Sequence, residues 1–157
     1  MNVLESFSLK GKVALVTGGA GSYGRQIVEA LAEAGAETYI ASRNMESLQQ
    51  VAKEETERGH NVTAMKLDLS QDESIEKLHA DIIAKSGKCD VLINNAVSRE
   101  FGNSGWQNTL DDFDKSLRIN GSALFKITQL FSEDMKKKNS GSIINIGSMM
   151  GTVGVEN

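Results

Sequence analysis

The sequence predicts an α/β fold, a doubly wound parallel sheet of five strands with flanking helices, in a single domain spanning residues 1–157. Three observations carry this prediction. Short, almost wholly apolar runs alternate with longer segments whose apolar residues recur at helical spacing. Runs this apolar suit strands buried on both faces, as in parallel sheets covered by helices. A single long polar loop, 96–108, follows the fourth apolar run, at the strand end where open α/β sheets place ligands.

The elements follow in order. Residues 12–17 (KVALVT) form the first strand and run directly into glycine-rich sequence. Residues 23–34 place Ile27, Val28, Leu31 and Ala34 on one helical face, and Gly35 follows as a stop. Residues 37–41 (ETYIA) are the second strand; Asn44 caps a helix that runs to Arg58 and stops at Gly59. The third strand covers 61–67. Ser70 and Glu73 have the spacing of a capping box, opening a helix that carries Ile75, Leu78, Ile82 and Ile83 and ends near Gly87. The fourth strand is 90–94 (DVLIN). Thr109 opens one long helix to about Lys137, and 142–146 (SIINI) is the fifth strand.

Composition narrows the function. Of 157 residues, 39% are hydrophobic and 24% charged, enough apolar material for one core. Seventeen Lys and Arg against 21 Asp and Glu leave a net charge of −4, which argues against nucleic acid as the partner. No stretch approaches the roughly 18 consecutive apolar residues of a membrane span, and the N-terminus has no secretory pattern. A lone Cys89 forms no internal disulfide, so a cytoplasmic location is expected. His60, His79 and Cys89 lack ligand spacing, so no metal is expected. Lys136, Lys137 and Lys138 sit where cations complement a helix C-terminus.

Between the first strand and first helix stands Thr17-Gly18-Gly19-Ala20-Gly21-Ser22-Tyr23-Gly24, with Gly18, Gly21 and Gly24 three residues apart. A nucleotide-binding turn needs small residues for the tight bend, for backbone approach to a pyrophosphate and for helix–strand packing. The free amides and positive dipole end of the helix then hold the anion. Gly18, Gly21, Ser22, Tyr23 and Gly24 are therefore candidate cofactor-binding residues. At the end of the second strand, Ser42, Arg43 and Asn44 offer no carboxylate for ribose hydroxyls, and Arg43 suits an extra phosphate. This points to NADP, with NAD as the alternative.

Here the chain resembles the short-chain dehydrogenase/reductase family of Rossmann-fold oxidoreductases. Of that family's TGxxxGxG signature Thr17, Gly18 and Gly24 match; Ser22 takes the middle glycine position, and Gly21 falls as in the TGxxGxxG form of the family's extended branch. Asn94-Asn95-Ala96-Val97 resembles the family's NNAG segment, with Val97 for glycine. The resemblance implies that Asp68, with Leu69, meets the adenine amine, and that Asn94, Asn95 and Ala96 line the cofactor ribose. It further implies that Asn120, in Arg118-Ile119-Asn120-Gly121, is the active-site asparagine whose local backbone distortion helps hold a relay water. Ser148, after the fifth strand, takes the place of the serine that binds the substrate oxygen.

The family's proton transfer rests on Tyr-x-x-x-Lys one helix beyond that serine. The two tyrosines, Tyr23 and Tyr39, are followed four places on by Ile27 and Arg43, so neither makes the motif. The resemblance covers nearly the whole chain but only the amino-terminal part of the family fold, with the later strands absent. A dinucleotide-binding piece of a longer enzyme is therefore expected in preference to a natural short protein, with little or no turnover by itself. The implied reaction is hydride transfer between a nicotinamide cofactor and an alcohol/carbonyl small-molecule substrate. Looser similarity of 41–44 and 147–151 to gluconate-type dehydrogenases points to a sugar or sugar acid. The alternatives are a catalytically silent nucleotide-binding or oligomerisation module, and an extended-branch sugar-nucleotide epimerase. Leu117, Leu124, Phe125, Ile127, Thr128 and Phe131, with the open edge of the fifth strand, predict a homo-oligomer. Arg99, Trp106, Met149 and Met150 are candidate substrate-side residues.

Overall fold

The structure, a computed structural model, describes residues 2–98 and 107–148. With no polar residue before its last position, β1 (Val13–Thr17) has no face to give to water, and it is buried throughout. It takes the centre of a five-stranded sheet. Parallel β2 (Glu37–Ser42) and then β3 (Val62–Lys66) lie on one side; parallel β4 (Val91–Asn94) and then β5 (Ser142–Asn145) lie on the other. The register sets Leu15 beside Tyr39 and Leu92. Because the chain leaves β3 at one edge and returns on the far side of β1, a crevice opens between β1 and β4 at their carboxyl ends.

Helices cover both faces, giving the Rossmann-like α/β architecture that the alternating pattern predicts. After a short α1 (Val3–Ser6), α2 (Ser22–Glu33) and α3 (Met45–Glu57) pack Val28, Ala32, Leu48 and Val51 onto Val16, Ile40, Val62 and Ile93. On the other face, α4 (Asp72–Ser86) and α6 (Leu124–Lys137) pack Ile75, Leu78, Ile82, Ile127 and Phe131 onto Leu15, Tyr39 and Leu92. Fully buried side chains of this size each contribute about 1.5–3 kcal/mol against exposure. They anchor the strands whose ends form the crevice.

Two expectations fail locally. The single helix predicted over 109–137 is three pieces: α5 (Leu110–Leu117), a π-helical turn over Arg118–Ala123, and α6. The turn contains Asn120-Gly121, two poor helix formers, where the backbone gives most readily. The Ser70–Glu73 capping box also does not form. α4 starts at Asp72, and its N-cap Gln71 makes no side-chain bond. Ser70 donates its amide (2.9 Å) and hydroxyl (2.7 Å) to Asp68 Oδ1, because a carboxylate two residues away is the better acceptor. Asn44 does cap α3, accepting from the Ser47 amide at 3.1 Å. Thr109 opens α5 through a reciprocal box with Asp112.

Among the described residues β3 and β5 are the two edge strands; Ile144 on β5 and Ile146 just after it are nearly half exposed. Ile127 and Phe131 face the core, whereas Leu117 and Phe125 are exposed. No helix among the described residues is long and apolar enough to cross a membrane.

Candidate functional site

The glycine turn is built by steric necessity at three positions. Gly18 adopts φ +69°, and a Cβ added at Gly24 would stand 2.2 Å from the Gly18 carbonyl oxygen. Gly19, which the three-residue spacing passes over, has no room either: a Cβ there would lie 2.8 Å from Ile40 Cβ. Gly21 is different. Its φ is −71°, and an added Cβ would sit at an ordinary 3.4 Å from Gly18 O. As the N-cap of α2 it makes no side-chain cap, leaving the first-turn amides of Ser22, Tyr23 and Gly24 for a ligand.

The end of β4 holds this turn in place. The Thr17 hydroxyl, buried at the end of β1, accepts from the amides of Asn95 and Ala96, each at 3.0 Å. Asn95 Nδ2 donates to the carbonyls of Thr17 (3.0 Å) and Gly18 (3.1 Å). Two parallel strands are thus stitched together where they open the crevice.

The resulting cleft has a volume of about 660 Å3, well inside the roughly 300–1,000 Å3 of small-molecule and cofactor sites. One wall is the turn itself, with Gly18, Gly21, Ser22, Tyr23 and Gly24. The end of β2 contributes Ala41, Ser42 and Arg43; the segment after β3 contributes Leu67, Asp68 and Leu69. Asn95, Ala96, Val97, Ser98 and Ile119 complete it. Arg43 is exposed at the rim, and its carbonyl receives Lys66 Nζ at 2.6 Å, placing two cations at this end. The Ser70 hydroxyl holds the Asp68 carboxyl below its ordinary value, against the opposing effect of burial; the Ser70 amide and the charges of Arg43 and Lys66 add to it. Uncapped amides, a rim arginine, an ionised carboxylate and apolar flanks together suit an elongated ligand with anionic groups and flat rings.

Other candidates lie outside this lining. Asn94 is buried and donates to Thr128 Oγ1 (3.1 Å) and Asn145 Oδ1 (2.9 Å), tying β4 to α6 and β5. Asn44 is spent on capping α3. Asn120, on the π turn, accepts from the Ser98 amide (2.9 Å) and donates to the Ser98 carbonyl (3.0 Å) and Ser116 Oγ (3.1 Å). Ser148 is exposed beyond β5. Arg99, Trp106, Met149 and Met150 lie outside the described residues. Tyr39 is buried, its hydroxyl between Glu37 (2.8 Å) and Ser86 (2.7 Å), and burial raises its pKa. Sequence reasoning singles out Thr17 only through the family's glycine-turn signature and passes over Gly19, Ser98 and Ile119, for which no local signal exists.

Known proteins share this fold. A family model for short chain dehydrogenase matches residues 12–157. The chain is 36% identical over 152 residues to 2-dehydro-3-deoxy-D-gluconate 5-dehydrogenase of Bacillus subtilis, covering 93% of this chain and 56% of that protein. It therefore spans little more than half the length of that relative. Among solved structures, a metagenomic short-chain oxidoreductase in complex with NADP superposes with a TM-score of 0.88 at 31% identity, covering 94% of this chain and 66% of that one. A 7α-hydroxysteroid dehydrogenase complexed with NADH and 7-oxo glycochenodeoxycholic acid superposes with a TM-score of 0.90 at 28% identity, covering 100% and 61%.

Proposed function

The chain belongs to the short-chain dehydrogenase family, and from that premise we propose that its residues form the nicotinamide-dinucleotide-binding part of an oxidoreductase acting on an alcohol/carbonyl pair. The observation that carries the reading is the uncapped α2 N-terminus behind a glycine turn gripped by Asn95, opening on a cleft rimmed by Arg43. A bound dinucleotide would supply or accept the hydride. The chain's own work is to hold it. The amides of Ser22, Tyr23 and Gly24 receive the pyrophosphate, Asp68 accepts from the adenine amine, and Asn95 and Ala96 flank the ribose. Arg43 pairs with a 2′-phosphate, which favours NADP(H) over NAD(H); relatives with either cofactor share the fold.

Asn120 and Ser148 are assigned to the substrate side, Ser148 orienting the reacting oxygen. The similarity to the Bacillus subtilis enzyme supports a sugar-acid substrate. Exposed Leu110, Leu117 and Phe125 support self-association, and the buried Cys89, free of any disulfide, supports a reducing cytoplasmic setting. Calorimetric titration with NADPH and with NADH tests the central claim. Both should bind, NADPH more tightly; failure of both to bind would leave only a structural module.

A further inference from the structure

The π turn is fastened to the cleft on two sides. On one, Asn120 grips both backbone groups of Ser98. On the other, Arg118, the first residue of the turn, donates Nε to the Ser70 carbonyl (3.4 Å) and pairs with Asp72 at the start of α4. Ile119 stands between these anchors and lines the cleft. Ser70 in turn gives its amide and hydroxyl to Asp68, which lines the cleft from the segment after β3. One guanidinium thus joins two cleft walls that lie 48 residues apart in the chain.

We propose that Arg118 is a positioning residue for the nucleotide: by holding the Ser70 peptide it fixes Asp68 and Ile119 against the adenosine half of the ligand. The inference rests on the dinucleotide reading above and deepens it. Arginine suits the task because its planar fork sends donors to two acceptors in a fixed geometry, where lysine offers a point charge. Single π turns are rare and recur at functional positions, so an anchor on this one bears on binding more than an anchor on an ordinary helix. Asp72 keeps a second cation, Lys126 at 3.4 Å, so removing Arg118 leaves no carboxylate stranded.

The test compares ADP and NADPH binding to the unsubstituted chain, Arg118→Ala and Arg118→Lys, by calorimetry well below each melting temperature. Arg118→Ala should bind ADP about fivefold more weakly. Arg118→Lys should recover the melting temperature more fully than the ADP affinity, and it carries the comparison should the alanine variant not fold. Lys77→Ala, which removes only the exposed pair with Asp81, should leave ADP affinity unchanged. Wild-type ADP affinity in Arg118→Ala, whatever its melting temperature, overturns the proposal; so does full recovery of affinity by lysine. If the unsubstituted chain binds neither ligand, the dinucleotide reading falls first and this inference with it.

Discussion

Asn95 Nδ2 lies 3.0 Å from the Thr17 carbonyl oxygen and 3.1 Å from that of Gly18, so one amide at the end of β4 spans the step from β1 into the glycine turn. Asn95→Ala removes the donor from both acceptors, although Gly18 O keeps the Gly21 amide at 3.0 Å. A loss of about 1–3 kcal/mol is expected in urea denaturation, with weaker dinucleotide binding. Asn95→Asp should cost more than alanine, because an acceptor-only carboxylate then faces two carbonyl oxygens. Equal stability of the aspartate variant and the unsubstituted chain would remove Asn95 from its role as the clasp of the turn.

The glycines separate packing from binding. A methyl at Gly24 meets backbone at 2.2 Å, and no flexible side chain is there to yield. Gly24→Ala should lose at least about 2 kcal/mol or fail to fold. Gly21→Ala puts its methyl at 3.4 Å in an extended conformation open to any residue. Its stability should stay within about 0.5 kcal/mol. Denaturation of the two variants side by side checks this; a Gly21→Ala protein as damaged as Gly24→Ala contradicts the described turn.

The contrast shows what the sequence could and could not disclose. The parallel sheet is legible because VALVT and VLIN are apolar up to their last residue and the helices between the strands carry apolar residues at helical spacing; the order β3-β2-β1-β4-β5 has no such local signal. The turn is legible as a turn, yet the three-residue spacing does not tell its indispensable glycines from the others. Gly19 is required by Ile40 on a neighbouring strand, a tertiary contact that no local pattern encodes. Ser70 looked like a helix cap because S-x-x-E is a local signal, but Asp68 took its hydroxyl first. Asn120 was found through resemblance; its grip on Ser98, 22 residues away, had no signal of its own.

The proposed preference for NADP(H) rests on Arg43. It is the backbone carbonyl of Arg43, not its guanidinium, that receives Lys66, so truncating the side chain spares that contact. Arg43→Ala should leave the melting temperature unchanged and weaken NADPH binding about tenfold, the equivalent of about 1.4 kcal/mol. NADH affinity should change by less than about twofold, since a rim cation meets little of its charge. An equal loss for both cofactors, or none for either, removes the basis for preferring NADP(H).

Acid stability tests the opposite end of the sheet. Asp90 Oδ2 accepts from the Val13 amide at 2.8 Å and pairs with Lys88 at 2.8 Å, tying the start of β4 to β1. Burial pushes the Asp90 carboxyl up, but the Lys88 and Val13 hydrogen bonds, with the charges of Lys88 and Lys12, outweigh it and set it below its ordinary 3.8. A pKa lower in the folded state means the unfolded chain binds the proton more tightly. The stabilisation is therefore complete above pH 3.8 and disappears as pH falls through that value toward the folded one. Asp90→Asn keeps an acceptor for Val13 but loses the charge, at an expected cost of about 1 kcal/mol near neutrality. Urea midpoints taken from neutral pH down to about pH 3 should show the two proteins converging at the acid end. Parallel curves over the whole range would mean that the Asp90 charge contributes nothing to holding β1 against β4.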